Sequence, residues 1–338
     1  MRYPASLILD LIYTKITGRR MNVGMLQKGT ISGYYRKPFY LRILESYQLY
    51  LFLLPAVLYL FIFNYIPMAG IIIAFKDFRP SEGIFGSSWV GMQNFIRFFN
   101  MPMFKVILRN TLALSIYDLI AGFPLPIILA LLLNSCPSLR FKKIVQTVTY
   151  APHFISTVVL VGMINILFAP SYGIVGHLLR SLGLINGPLY VLNDPAWFPH
   201  LYVWSGVWAS IGWSSIIYLG ALTGVDLNLY EAAEIDGANK LQKILHIDLP
   251  AILPTIVILF ILNAGRIMNV GFEKVFLMQN ATNLSTSEVI STYVYKTGIG
   301  QGSYSLATAI GLFNSVINFI MLVFVNRIAR RLGETSLW

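Results

Sequence analysis

Cysteine is almost missing from this chain. Cys136 stands alone, which excludes an internal disulfide and any cysteine-built metal site. The four histidines, His153, His177, His200 and His246, show no metal-ligand spacing, so no metal residues are expected. Charge is scarce as well: 12% of the residues are charged, against about 25% in a soluble domain. Acids are the scarcer sign, 14 against 25 bases, for a net charge of +11. That surplus would suit nucleic acid, but the bases are scattered along the flanks of apolar runs, so no nucleic-acid partner is expected. No Gly-x-x-x-x-Gly-Lys-Ser/Thr phosphate loop is present, so the chain does not itself hydrolyse ATP. Neither Gly-x-Ser-x-Gly nor His-Glu-x-x-His occurs, so there is no catalytic residue to name. No cleavable signal peptide is expected, because the first long apolar run starts near Leu49.

What is abundant is hydrophobicity, at 56% of 338 residues. Six runs reach the roughly 20 residues that a hydrocarbon core requires. They lie at 48–74, 108–134, 146–169, 197–224, 251–279 and 305–328. The expected fold is all-α, a polytopic membrane helix bundle of six spans filling residues 47–331. Residues 1–46 read as a basic tail, with a short amphipathic patch at Leu7, Ile8, Leu11 and Ile12, and 332–338 as a short C-terminal tail.

Orientation follows from where the bases fall. With the N-terminus inside, the inner segments carry eight in the tail, then Arg140, Lys142, Lys143, Lys240, Lys243, Arg327, Arg330 and Arg331. The outer segments carry Lys76, Arg79, Arg97, Lys105, Arg109, Arg180 and Lys296. Both termini are therefore expected in the cytoplasm, together with the polar stretch 225–250.

That stretch is an island between two apolar runs and holds five of the 14 acids: Asp226, Glu231, Glu234, Asp236 and Asp248. Asn228 followed by Glu231 has capping-box spacing, and Gly237 suits a left-handed helix end. Asn239 with Gln242 repeats the start signal, and Pro250 marks the next element. Two helices of about two turns are not stable alone in water, so they must dock on something.

Glu231-Ala232-Ala233, then Asp236-Gly237-Ala238, then Ile247-Asp248-Leu249-Pro250 resembles the coupling loop of permease subunits in bacterial ABC importers. The resemblance covers about residues 40–335 and implies a type I importer permease in a bacterial cell membrane. Its docking residues would be Glu231, Ala232, Ala233, Asp236, Gly237, Ala238, Ile247, Leu249 and Pro250. Leu241, Ile244 and Leu245 depart from the family pattern, which often has aromatic residues there. Tyr65-Ile66-Pro67-Met68, Phe75-Lys76-Asp77-Phe78, Trp89-Val90-Gly91-Met92-Gln93-Asn94-Phe95 and the run Gly265 to Glu273 are similar to the branch handling polysaccharide-derived oligosaccharides. The implied partners are a second six-span permease, two ATPase subunits and an extracellular or periplasmic solute-binding protein. The implied cofactors, ATP and magnesium, sit on the ATPase, and none sits on this chain.

Ionisable and amide side chains inside spans are costly in lipid, so they mark paths or pairings. Asn263, Arg266, Val270 and Glu273 recur at helical spacing, with Asn269 beside them. Either they form a polar stripe along a sugar path, or they make an interhelical network. Arg266 suits an acidic sugar or an internal partner, and Asp118 of the second span is the expected partner. Trp213 and Tyr218 offer faces for sugar stacking, or serve as core. Two other classes fit less well. An ion-gradient transporter gives no reason for the docking loop, and a membrane enzyme acting on lipid-linked sugar would need a carboxylate pair or metal site.

Overall fold

The computed structural model describes residues 47–331, 336 and 337. Apart from Ser336 and Leu337, both expected tails lie outside the described residues. The described chain is helical almost throughout, as a backbone without access to water must be.

The chain divides into two compact units after Pro67. In the first, helix α1 (Tyr47–Leu60) passes through Pro55 and continues as a π-turn over Phe61–Tyr65, with no buried residue. The second holds the remaining elements. A short antiparallel pair, Lys76–Asp77 with Ser88–Trp89, closes a loop before a helix at Gln93–Asn100. This pairing brings together the two loop motifs noted in the sequence. Asn94 Nδ2 donates to Ala74 O at 2.9 Å, and Phe75 stacks on Trp89 at 5.8 Å.

Helices α2 (Pro102–Gly122) and α3 (Pro124–Asn134) follow as one 33-residue run. The expected third span, 146–169, is not one helix. Helix α4 (Leu139–Tyr150), a 3-10 turn at Ala151–Phe154, and α5 (Thr157–Leu167) are bent by 99°. Pro152 removes a backbone donor there, and Ser156 caps the new helix by accepting from Val159 N at 3.3 Å.

Helix α6 (Phe198–Leu222) is the centre of the second unit, packed against α2, α3 and α4. Then come α7 (Leu227–Ile235), α8 (Lys240–Lys243), a π-turn at Ile244–Asp248 and α9 (Leu249–Ala264). From Lys240 to Ala264 the helix is continuous. Within that run the geometry changes from π-turn to α-helix at Leu249, so Pro250 stands at the second position of α9, where the sequence placed the next element.

The fifth span, expected over 251–279, stops at Ala264 and resumes as α10 (Phe272–Met278). The intervening Gly265–Gly271 segment packs hard against the last helix, α11 (Tyr304–Arg331). A Cβ at Gly265 would stand 2.6 Å from Leu322 Cδ1. Close contact of this kind, rather than water exclusion, holds helices together in lipid.

Among the described residues four helical runs are long and apolar enough to cross a membrane, or five if α4 and α5 count as one. Helix α6 has the length, 25 residues, but its Trp, Tyr, Ser and His residues dilute its hydropathy.

Candidate functional site

Two places gather the residues singled out in the sequence. The first is the polar stretch. Helix α7 begins at Asp226, whose side chain accepts from Asn228 N at 3.0 Å. The cap is therefore Asp226 and not Asn228, because the helix starts two residues earlier than the expected box and uses the carboxylate there. The far end is built as the sequence predicts. Gly237 sits at φ +74°, Ala238 N donates to Ala233 O at 2.8 Å, and Gly237 N donates to Glu234 O at 3.1 Å. Those two bonds satisfy carbonyls that the helix end would leave open. Asn239 and Gln242 then form a reciprocal box, with bonds of 2.8 and 2.9 Å.

Lys243 reaches back to Glu234 at 2.7 Å. Its hydrogen bond and positive charge hold the Glu234 carboxyl below its ordinary range. A recess of about 330 Å³ lies between the turn and α8, lined by Ala233, Asp236, Gly237, Ala238, Lys243 and His246, among others. Beneath it the stretch is anchored through Asp248, which is 1% exposed. Tyr230 donates its hydroxyl to Asp248, and Asn134 at the end of α3 donates Nδ2 to the same oxygen at 3.2 Å. Burial, and then this bond, push the Tyr230 hydroxyl up to about 12.

The outer surface of the stretch is apolar where it faces away. Leu227, Leu229, Leu241 and Leu245 are exposed, and Ile235 is 87% exposed. Glu231, Ala232, Asp236, Gly237 and Pro250 are exposed, while Ala233, Ala238, Ile247 and Leu249 are half-buried. An anchored base under an exposed apolar rim is the geometry of a docking element.

The second place is a cavity of about 740 Å³ among α2, α3, α6, α9 and the Gly265–Gly271 break. Its wall includes Asp118, Trp213, Tyr218, Asn263, Arg266 and Asn269. Glu273 is not on it, and stands exposed on α10. The break corrects the expected helical stripe, since Arg266 and Glu273 no longer share one helix face. The expected pairing is also not formed: Asp118 and Arg266 both line the cavity, but no ion pair joins them. Among the described residues Arg266 has no side-chain hydrogen bond or ion pair, and it is exposed to the cavity. Trp213 is 44% exposed and stacks flat on His153 at 4.5 Å, whereas Tyr218 is 3% exposed and packs in a core cluster with Ile127 and Ile252.

A broken helix in a membrane frees backbone donors that water cannot satisfy. Here other spans supply acceptors. Met268 N donates to Asn318 Oδ1 of α11 at 2.9 Å, and Gly271 N donates to the Tyr202 hydroxyl of α6 at 3.1 Å. Tyr202 in turn lies under Lys274, whose Nζ is 4.6 Å from the ring centre and donates to Tyr202 O at 2.6 Å. Sequence reasoning missed Tyr202, Asn314 and Asn318. Asn314 and Asn318 are legible in the sequence as two amides one turn apart in a mainly apolar span.

The model for the binding-protein-dependent transport system inner membrane component matches residues 122–334. The polygalacturonan/rhamnogalacturonan transport system permease protein YteP of Bacillus subtilis (strain 168) is 44% identical over 305 residues, covering 90% of this chain and 94% of that protein. Protein LplB of the same organism is 43% identical over 290 residues, covering 86% and 91%. The crystal structure of a bacterial alginate ABC transporter in complex with alginate pentasaccharide-bound periplasmic protein contains a chain with TM-score 0.81 and 38% identity. The match covers 88% of this chain and 99% of that one. A second structure, of a bacterial ABC transporter involved in the import of the acidic polysaccharide alginate, gives a TM-score of 0.80 at 39% identity, covering 86% and 98%. The matched family model and the length shared with these relatives lead to one conclusion: the chain belongs to the binding-protein-dependent transport system inner membrane components, the multi-pass permease subunits of ABC importers.

Proposed function

We propose that this permease carries acidic oligosaccharides, products of polyuronate breakdown, through the cavity beside Arg266. The observation that carries the reading is a guanidinium exposed to a 740 Å³ cavity with no partner among the described residues. A charge kept unpaired at that depth is costly unless a ligand or water meets it. A guanidinium fork matches a carboxylate better than any neutral group. The relatives named for polygalacturonan and rhamnogalacturonan, and the neighbours named for alginate, support the same class. Asn263 and Asn269 supply amide contacts, Trp213 a partly exposed ring, and Asp118 the opposite charge on the far wall.

The chain works as a non-catalytic subunit with six spans and both termini in the cytoplasm. It pairs with a second six-span permease and two ATPases that hold ATP and magnesium. The stretch 225–250, with Glu231, Ala232, Ala233, Asp236, Gly237, Ala238, Ile247, Leu249 and Pro250, seats on one ATPase. Closure of the ATPases on ATP moves that stretch and turns the cavity outward to take sugar from the solute-binding protein. Hydrolysis returns it inward.

The test is a mild-detergent pull-down of the chain expressed with its genomic neighbours. ATPase assays with receptor loaded by candidate uronic-acid oligosaccharides follow. Recovery of a second permease and an ATPase, with hydrolysis stimulated by an acidic oligosaccharide, is the expected result. A chain that purifies alone and moves solute down an ion gradient would replace this reading with a secondary transporter.

A further inference from the structure

The hydrogen bonds around the Gly265–Gly271 break have a direction that can be traced, because they start from a group that only donates. Met268 N–H gives to Asn318 Oδ1 at 2.9 Å. That fixes which end of the Asn318 amide is oxygen. Its Nδ2 therefore donates to Asn269 Oδ1, also at 2.9 Å. Asn314, one turn earlier on α11, donates its Nδ2 to the same oxygen at 2.9 Å. The oxygen of Asn269 is thus taken twice, while its Nδ2 has no partner among the described residues. Asn269 is exposed and lies on the cavity wall beside Arg266, and a guanidinium has donors only.

A second observation shows the direction is held against a local penalty. In donating to Asn269, Asn314 leaves its own Oδ1 buried and without a partner. Such an oxygen is ordinarily avoided. The cluster tolerates it because reversing Asn314 would set its oxygen against that of Asn269.

We propose that Asn318 is a specificity-determining positioning residue. It turns Asn269 so that Asn269, like Arg266, offers donors alone, which selects a carboxylate-bearing sugar unit over its neutral counterpart. The inference rests on the reading that acidic oligosaccharides pass through this cavity. It adds that the selecting device extends beyond Arg266 to an amide of a different span, Asn318 of α11, anchored on the Met268 N–H.

The test uses the whole importer, this chain with its co-expressed partners and receptor, in proteoliposomes with ATP on the ATPase side. The probes are trigalacturonate and its trimethyl ester, which have the same backbone with and without charge. The parent complex is expected to prefer the acid. Asn318→Leu lowers the acid-to-ester uptake ratio roughly tenfold, the scale set by one misplaced buried hydrogen bond. It does so through a raised KM for the acid, with turnover within about twofold. Asn318→Gln, which keeps both amide groups, restores the ratio to within about threefold, and Asn314→Leu lowers it by less than Asn318→Leu. A residue that only stabilised the fold would depress both probes equally. Equal loss of both probes, or an unchanged ratio, in Asn318→Leu overturns the proposal. If that variant does not assemble, an unchanged ratio in Asn314→Leu does so. Loss of the acid preference in Arg266→Gln alongside an unchanged Asn318→Leu leaves the acidic-sugar reading standing and removes only this inference. A parent that carries neither probe removes both.

Discussion

Two of the interruptions in the chain's helices, the polar stretch 225–250 and the Gly265–Gly271 break, are made from different materials. At 225–250 the breaks are local. Asp226 caps through Asn228, Gly237 turns the chain, Asn239 and Gln242 cap each other, and Lys243 holds Glu234. At Gly265–Gly271 the freed donors are met from far along the chain, by Asn318 fifty residues ahead and Tyr202 sixty-nine behind. The first is exposed and needs no other span for its shape, although Asn134 and Asp248 fix its seat. The second exists only when three spans are assembled. Surface docking parts can be self-made; a kink inside lipid has to be made by its neighbours.

The largest effect on ATPase recovery, as distinct from stability, is expected at Gly237. A β-branched residue at φ +74° carries strain that the turn cannot relieve. Gly237→Val is expected to cut recovery of the ATPase in a pull-down by about tenfold or more, as about 1.4 kcal/mol or more of strain would. The spans stay inserted, and parental recovery would mean the turn is not part of the docking face. Next is Asp248→Ala, which leaves Tyr230 and Asn134 without their shared buried acceptor. A loss of about 2–4 kcal/mol is expected, read as a lower unfolding temperature of the purified complex. Tyr202→Phe removes one acceptor, for Gly271 N, and costs less, about 1–2 kcal/mol. If it costs more than Asp248→Ala, the cavity side and not the docking side is the more highly strung of the two.

Sequence reading went furthest where the structure is local. The Gly237 turn and the Asn239–Gln242 box were both legible, because cap and turn chemistry depends on neighbours a few residues away. The bundle as a whole was legible from hydropathy. The break at Gly265–Gly271 was not, since the run 251–279 is apolar enough to read as one helix and the groups that interrupt it sit on α6 and α11. The pairing of Asp118 with Arg266 failed for the same reason. It assumed an unbroken helix, whereas Arg266 lies in the break and faces the cavity without an ion pair to Asp118.

The smallest effect is at the Glu234–Lys243 pair, where Glu234 is exposed. Lys243→Met is expected to change ATPase recovery less than about twofold at neutral pH. Because Lys243 lowers the Glu234 carboxyl, the pair contributes above the ordinary Glu value of 4.5 and is lost as pH falls through the lowered one. Acid sensitivity of docking in the parent, absent in the Met variant, would confirm that sign. A parent and variant with the same acid profile would show that the pair plays no part in docking.

The π-turn at Ile244–Asp248 keeps α8 and α9 in one unbroken rod from Lys240 to Ala264. At 1.5 Å per residue that rod is about 37 Å long. A tilt of about 5° at its Lys240 end would sweep its far tip through about 3 Å. The tip ends against Gly265, where the chain leaves the helix, and Arg266 is the first side chain beyond it. The wide turn in the middle of the rod thus works as a splice, joining the polar stretch and the cavity wall in one lever.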